Sequence, residues 1–588
     1  MSSEPVELRV RIGGEAGFGI KAAGQLLART FAHEGYEVFD LTEYPSLIRG
    51  GHNTYLLRVS TEPVWSHVEP VDVLACLNRE TLDRHASEVV DGGAVVFDPD
   101  DFASDAVPGR LRAVPVPLTA IARDTGGKIM RNTVALGAVL GIVGFPLEPL
   151  AEALRRQFAR KAPEVAEGNV AAAQAGYDAA RASCPDFSVR LTSRPGAPQR
   201  LLVDGNEAIG FGALAAGIGF YAAYPMTPAS SLLHFMAAHE RSAGVVVKHT
   251  EDEIAAMNMV VGAAFGGTRA MCATSGGGFS LMVEAFGMAG VSESAVVVGV
   301  FTRPGPATGM PTWTEQSDLR FVIHAAQGEF PRVVLAPGDR IDAFELTWRA
   351  FNLADQLQTP VVILGDSYLS DNRQTVPPFD LSSVVVDRGK LIAEGRVEDV
   401  PDALGGEGIY LRYKVTDDGV SWRALPGVDG AVQLGNSYEH DERGFGAPGE
   451  EAATRVAQNA KRMRKLALAR TLVPPPAFYG ASPAEADIGL VLFGTTKGPA
   501  REAARMLERD GIRVSIMQIV TAWPFPADAV AAYMDAVPMT AVIEGNYAGQ
   551  LESLIREQTL REPNARLHRY DGRPFAPEQI ARFVKEVL

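Results

Sequence analysis

Residues 6–31 read VELRVRIGGEAGFGIKAAGQLLARTF, and this run sets the fold class. Val6, Leu8, Val10 and Ile12 alternate with Glu7, Arg9 and Arg11, the period-two pattern of a half-buried strand. Gly13 and Gly14 then predict a turn. Ile20, Ala23, Leu27 and Phe31 fall on one face of a helix that Gly35 is placed to end. Short apolar runs at 71–77 and 94–97 suit buried strands. Strand alternating with helix predicts an α/β domain over residues 1–187.

The same alternation recurs along the chain. Residues 188–200, ending in LTSRPGAPQR, hold two prolines and a glycine and read as a linker. A second α/β pattern covers 201–379, with strands at 245–247, 296–300 and 361–364 and a helix of small residues at 255–265. Periodicity weakens over 380–485, where 450–468 is a charged, helical stretch. A third α/β unit covers 486–588, with a strand at 488–493, a turn at Gly494, a helix through Met506 and a strand at 514–517. A chain of 588 residues is too long for a single core, so several domains are expected.

Composition narrows the function. With 46% hydrophobic and 21% charged residues the chain reads as soluble and globular. No apolar run reaches the ~18 residues of a membrane span, and the polar start of the chain shows no signal peptide, so a cytoplasmic location is expected. Net charge is −16 without any Lys/Arg run, which argues against nucleic acid. Cys76, Cys184 and Cys272 lie far apart with no C-x-x-C pair, so the chain alone cannot ligate an iron–sulfur cluster.

Five glycine-, proline- or acid-rich segments carry candidate chemistry. Gly13-Gly14-Glu-Ala-Gly17-Phe-Gly19, between strand and helix, suits either a phosphate-binding turn or a bare tight turn; its spacing departs from the dinucleotide fingerprint. In Tyr224-Pro225-Met226-Thr227-Pro228-Ala229-Ser230 two prolines hold a threonine in a stiff loop, and Ser230 or Ser231 is placed to cap the next helix. Thr250 and Glu253 have the spacing of a capping box. Glu253 could instead hold a heterocycle nitrogen from a buried helix start. Thr274-Ser275-Gly276-Gly277-Gly278 reads as a loop after a strand. Arg303-Pro-Gly-Pro-Ala-Thr-Gly-Met-Pro-Thr312 places one cation beyond a strand's carboxyl end, suited to clamp a carboxylate; a solvated Arg on a turn is the alternative.

Taken in order, these segments, together with Arg49-Gly50-Gly51, residues 412–427 and EGNYAGQ at 544–550, resemble the alpha subunit of 2-oxoacid:ferredoxin oxidoreductases with the gamma domain fused in front. The resemblance covers nearly the whole chain. It implies a multidomain α/β fold: a Rossmann-like gamma domain, a thiamine-diphosphate-binding pyrimidine-type domain, and a transketolase C-terminal-like domain. By the same resemblance Tyr224, Pro225, Glu253 and Ser275 bind the cofactor, and Glu253 is the carboxylate on its aminopyrimidine ring. Thr227 contacts substrate, and Arg303 and Thr312 recognise the oxoacid. Gly14, Gly17 and Lys21 are candidates for coenzyme A. Met226 stands where the family's loop carries isoleucine, a volume-conserving change.

The implied reaction is oxidative decarboxylation of a 2-oxoacid, with transfer of the acyl group to coenzyme A and of electrons to ferredoxin. No G-D-G…N motif for Mg²⁺ and diphosphate is present; Gly365-Asp366-Ser367 is only a near match. The resemblance therefore assigns Mg²⁺, the diphosphate grip and the [4Fe–4S] cluster to a smaller beta subunit in an (αβ)₂ heterotetramer, with no metal site in this chain. The fused layout and the 303–312 segment favour 2-oxoglutarate, with pyruvate, branched-chain or indolepyruvate specificity as alternatives. A Rossmann-type nicotinamide dehydrogenase is the reading from a different class, and a non-catalytic scaffold subunit a third.

Overall fold

A computed structural model describes residues 6–47 and 50–588; Arg49 of the RGG run lies outside the described residues. The chain forms two compact units: Met1–Asp204 with Asp371–Pro378 and Ala576–Ile580, and Gly205–Ser370 with Phe379–Phe575 and Ala581–Leu588.

The first unit is built on an eight-stranded sheet in the order Arg112–Pro115, Val89–Phe97, Val71–Cys76, Glu7–Glu15, His52–Ser60, Glu37–Glu43, Arg373–Val376, Leu201–Asp204. Glu7–Glu15 runs parallel to Val71–Cys76 and antiparallel to His52–Ser60. Gly13 and Gly14 thus stay in the strand instead of opening the turn. At Gly13 a Cβ would lie 2.5 Å from Thr81 Cγ2, so the glycine is there for close packing. The turn comes at Gly17 and Gly19, whose φ values are +97° and +70°, a region favoured by glycine. Gly35, at φ +85°, follows the helix Ile20–His33. Residues 188–200 have no helix or strand, yet Leu191 is buried with its N–H on Val143 O, and Tyr36 donates to Thr192 O. The segment is packed onto the unit. Two strands from the stretch read as the second domain, Leu201–Asp204 and Arg373–Val376, pair with each other in this sheet.

The second unit holds two sheets. One has seven strands in the order Thr521–Trp523, Val333–Leu335, Val361–Asp366, Val296–Thr302, Ala270–Thr274, Phe220–Ala223, Val246–His249. Neighbours are parallel except at the Thr521–Trp523 edge. The other has five, in the order Ala477–Gly480, Val514–Ile519, Ile488–Phe493, Thr540–Glu544, Ala565–His568, again parallel but for its first strand. Val298, Val300, Val362 and Leu364 of the first sheet share one hydrophobic cluster with Val491, Phe493, Met517 and Ile519 of the second. The two α/β patterns that read as separate domains therefore close over a common core.

The irregular region is fastened by charge. Its helix Ala452–Leu472 buries Lys461 and Lys465, whose ammonium groups each lie 2.6 Å from the carboxylate of fully buried Glu293. Arg412 adds a bond to Glu293 O. Burial alone would raise the Glu293 carboxyl; the two ammoniums and Arg412 hold it well below the usual range. Burial in turn pulls Lys461 down to about 7 and Lys465 to about 8.

Candidate active site

Four adjacent strands of the seven-stranded sheet deliver the candidate residues. Tyr224–Pro228 follows Phe220–Ala223, and Glu253 starts the helix after Val246–His249. Ser275 follows Ala270–Thr274, and Arg303 follows Val296–Thr302. Because these strands are parallel, their carboxyl ends share one edge of the sheet, the edge where α/β folds bind ligands.

Contacts draw the four segments together. Arg303 Nη1 donates to Thr227 O at 2.7 Å, tying the single cation to the threonine loop, and burial pulls that guanidinium below its ordinary value. Asn206, fully buried, donates from Nδ2 to Pro228 O at 2.8 Å and to Ser231 Oγ at 2.6 Å. Ser231 therefore serves as an anchor for the loop. Neither it nor Ser230 caps the helix Ser230–Ala243, whose N-cap is Ala229 with no side-chain bond. Ser275 Oγ lies 2.7 Å from Met226 Sδ. Tyr224 is partly exposed beside His249, and Thr312 is half-buried in the Arg303 loop.

The capping-box expectation is corrected. Asp252 is the N-cap, accepting from Ala255 N at 2.7 Å, while Thr250 donates to Asp252 O. Asp252 is the better cap because its short carboxylate sits one residue before the first helical turn. This frees Glu253. Its side chain is buried, and Oε1 has no hydrogen-bond partner, an unusual and costly state for a carboxylate oxygen. The TSGGG loop is corrected as well: Ser275 is the N-cap of the helix Gly276–Val291, so the glycines form its first turn. A Cβ at Gly278 would stand 1.9 Å from Thr274 Oγ1 and 2.7 Å from Glu253 Oε1. Only glycine leaves room for the carboxylate there.

These features fit a thiamine cofactor's pyrimidine end. A buried acceptor with no internal partner, at a helix start and beside glycine backbone, matches a ring nitrogen that donates or shares a proton. On the other side of the glycine run a Cβ at Gly276 would meet Asp318 Oδ2 at 2.1 Å. Burial, with Glu315 nearby, pushes the Asp318 carboxyl up to about 6, and burial also raises Glu315.

Gly14, Gly17 and Lys21 belong to the first unit; Gly14 is buried in the strand Glu7–Glu15, whereas Gly17 and Lys21 are exposed. Asp366 is buried, accepting from Leu369 N at 2.9 Å and from Thr495 Oγ1, so the near match at 365–367 is the junction where the strand Val361–Asp366 passes into the helix Ser367–Asp371. Among the described residues no group of three or more His, Cys, Asp or Glu side chains could hold a metal ion, and no helix is long and apolar enough to cross a membrane. Asn206, Asp318 and Gln316 went unnoticed in the sequence. Asn206 alone left a signal, standing just after a strand.

Comparison with known proteins decides the family. The chain is 33% identical to the alpha subunit of 2-oxoacid:ferredoxin oxidoreductase 2 from Aeropyrum pernix, over 99% of this chain and 98% of that one. The chain belongs to the 2-oxoacid:ferredoxin oxidoreductases. It is the alpha subunit of such an enzyme, whose relatives include 2-oxoglutarate oxidoreductase subunit KorA of Mycobacterium tuberculosis, 27% identical over 98% of this chain and 91% of that one. Residues 211–421 match the family described as pyruvate flavodoxin/ferredoxin oxidoreductase, thiamine diP-bdg, so a thiamine-diphosphate-binding domain is present. Residues 9–179 match pyruvate ferredoxin/flavodoxin oxidoreductase, and 486–580 match pyruvate:ferredoxin oxidoreductase core domain II. Among solved structures, a 2-oxoglutarate:ferredoxin oxidoreductase from Magnetococcus marinus, with 2-oxoglutarate, coenzyme A and succinyl-CoA bound, superposes with TM-score 0.91 at 33% identity, each chain covered over 99%.

Proposed function

We propose that this alpha subunit carries the pyrimidine half of a thiamine diphosphate site that oxidises 2-oxoglutarate. Residues 201–379 would supply the cofactor half-site and 1–187 the gamma-type part. The observation that carries the reading is the buried, unpartnered Oε1 of Glu253 beside Gly278. Glu253 would accept a hydrogen bond from the pyrimidine ring, with Tyr224, Pro225 and Ser275 lining that end. Bound thiamine diphosphate supplies the electron sink that lets a 2-oxoacid lose CO₂. Thr227 and Thr312 would orient the oxoacid. A guanidinium has five N–H donors, so Arg303 can hold Thr227 O and still take a carboxylate bidentately. The Magnetococcus relative, with 2-oxoglutarate bound, favours a dicarboxylate over pyruvate, branched-chain or aromatic oxoacids.

A smaller beta subunit would complete the enzyme with Mg²⁺, the diphosphate grip and a [4Fe–4S] cluster, in an (αβ)₂ assembly that reduces ferredoxin. Coenzyme A is the proposed acyl acceptor, and Gly17 and Lys21, the exposed pair of the three candidates, are better placed for it than Gly14. Glu253→Gln in the co-expressed complex tests the core of this reading. It should leave assembly intact and lower oxoacid-dependent viologen reduction by roughly 100- to 10,000-fold. Turnover at the parent rate would remove Glu253 from the reaction.

A further inference from the structure

The loop from 303 to 318 joins the strand Val296–Thr302 to the helix Leu319–His324. Sixteen residues without regular structure need an external hold if they are to present Arg303 and Thr312 at fixed positions. One end is held by the bond from Arg303 to Thr227. The other end is held by Gln316.

All four polar atoms of Gln316, a buried residue, are engaged at the ends of the strands Ile488–Phe493 and Thr540–Glu544 and by the residues that follow them. Its N–H donates to Gly545 O at 2.6 Å, and its carbonyl accepts from Asn546 Nδ2 at 3.2 Å. Oε1 accepts from Gly545 N at 2.8 Å and from Thr496 Oγ1 at 3.0 Å, while Nε2 donates to Phe493 O at 2.9 Å. Phe493 ends the strand Ile488–Phe493, and Gly545 directly follows the adjacent parallel strand Thr540–Glu544. From Ile488–Phe493 the chain goes first to Val514–Ile519 on one side and later to Thr540–Glu544 on the other. That gap is where strand order reverses, the place such sheets offer to a ligand. Here it is filled by a side chain of the protein itself.

We infer that Gln316 is a positioning residue for the 303–314 loop and that the five-stranded sheet acts as its socket. The inference deepens the reading of Arg303 and Thr312 as substrate residues and rests on it. Neighbouring bonds extend the hold: Gln550 donates from Nε2 to Ser317 O at 2.5 Å and accepts from Arg320 N at 2.9 Å. Thr314 N donates to Gly572 O at 3.2 Å, and the Arg573 guanidinium covers the Trp313 ring. The run EGNYAGQ thereby gains a purpose, since Gly545, Asn546 and Gln550 all serve the loop. An amide is required at 316: a carboxylate would lose the donor to Phe493 O, and asparagine is one methylene too short to span both strand ends.

The test is steady-state kinetics of the co-expressed complex with 2-oxoglutarate, coenzyme A and a viologen. Gln316→Ala should raise KM for the oxoacid by about tenfold or more, with KM for coenzyme A unchanged and the thiamine content retained. Gln550→Ala should move the same constant in the same direction by less. Arg303→Ala is run in parallel. If it leaves the oxoacid KM flat, the reading of the loop fails; if it raises KM while Gln316→Ala stays within about twofold of the parent, the socket fails. A Gln316→Ala complex that raises both KM values alike and melts earlier marks a merely structural residue and overturns the inference. Should that variant not assemble, Gln550→Ala decides, and an unchanged oxoacid KM there overturns it.

Discussion

At the scale of single residues the site is a set of groups left in need of something. Glu253 lacks a partner for one oxygen, and Asp318 is a half-buried acid with Glu315 close by. Asp318 yields a prediction with a definite sign. An ordinary aspartate near 3.8 rises to about 6 in the fold, so its stability contribution is complete below about 4 and lost as pH climbs through 6. Asp318→Asn stays neutral and escapes that loss. Denaturation midpoints at pH 5 and pH 7.5 should show the variant gaining roughly 1–2 kcal/mol on the parent across that interval; a constant gap would mean that the carboxyl is not perturbed. Glu253, Thr227 and Arg303 lie in segments whose composition stands out in the sequence, and the roles proposed for them come from the family resemblance. Gln316 has no such mark, since its partners lie some 180 to 230 positions away and a lone glutamine carries no local signal. Thr250 misled because its spacing to Glu253 imitates a cap that Asp252 provides.

Among elements, strands and helices with apolar faces were legible, and the helix Ala452–Leu472 was foreseen as a charged helical stretch at 450–468; what stayed hidden is which of its positions are buried. Its buried positions Gln458, Lys461, Arg462, Lys465 and Ala469 keep helical spacing, but four of the five are polar, so a search for hydrophobic period passes over them. Those polar groups make the helix depend on Glu293. Glu293→Ala would strand two fully buried ammonium groups, and losing one side of a buried pair costs about 3–5 kcal/mol. Thermal unfolding of the variant should start well below the parent. Adding Lys461→Met and Lys465→Met to it should recover most of the loss, because an apolar trio needs no counter-charge. Failure of the triple variant to recover would show that the ion pairs set the helix register as well as its stability.

For the molecule as a whole, the sequence marks α/β patterns correctly but cannot show which of them share a core. Val491 and Val362 are both plain apolar strand residues, and nothing local records that they join one cluster. A related blindness applies to the faces that the chain leaves uncovered. The helix Glu253–Phe265 has no charged residue after Glu253, yet Ile254 is 49% and Met259 42% exposed. The helix Gly276–Val291 packs beside it and leaves Leu281 50% exposed. A helix as apolar as Glu253–Phe265 is normally buried, and exposed apolar side chains beside a site mark a candidate interaction surface. Both helices begin at the proposed cofactor residues, so the proposed beta subunit would cover them while completing the site. Ile254→Glu combined with Leu281→Glu places two charges on that face without touching Glu253, Thr227 or Arg303. The isolated variant should fold with the circular dichroism of the parent, and it should no longer co-purify with a second chain, thiamine or iron. A variant that still emerges as a brown, thiamine-loaded complex would mean that the partner docks on another face.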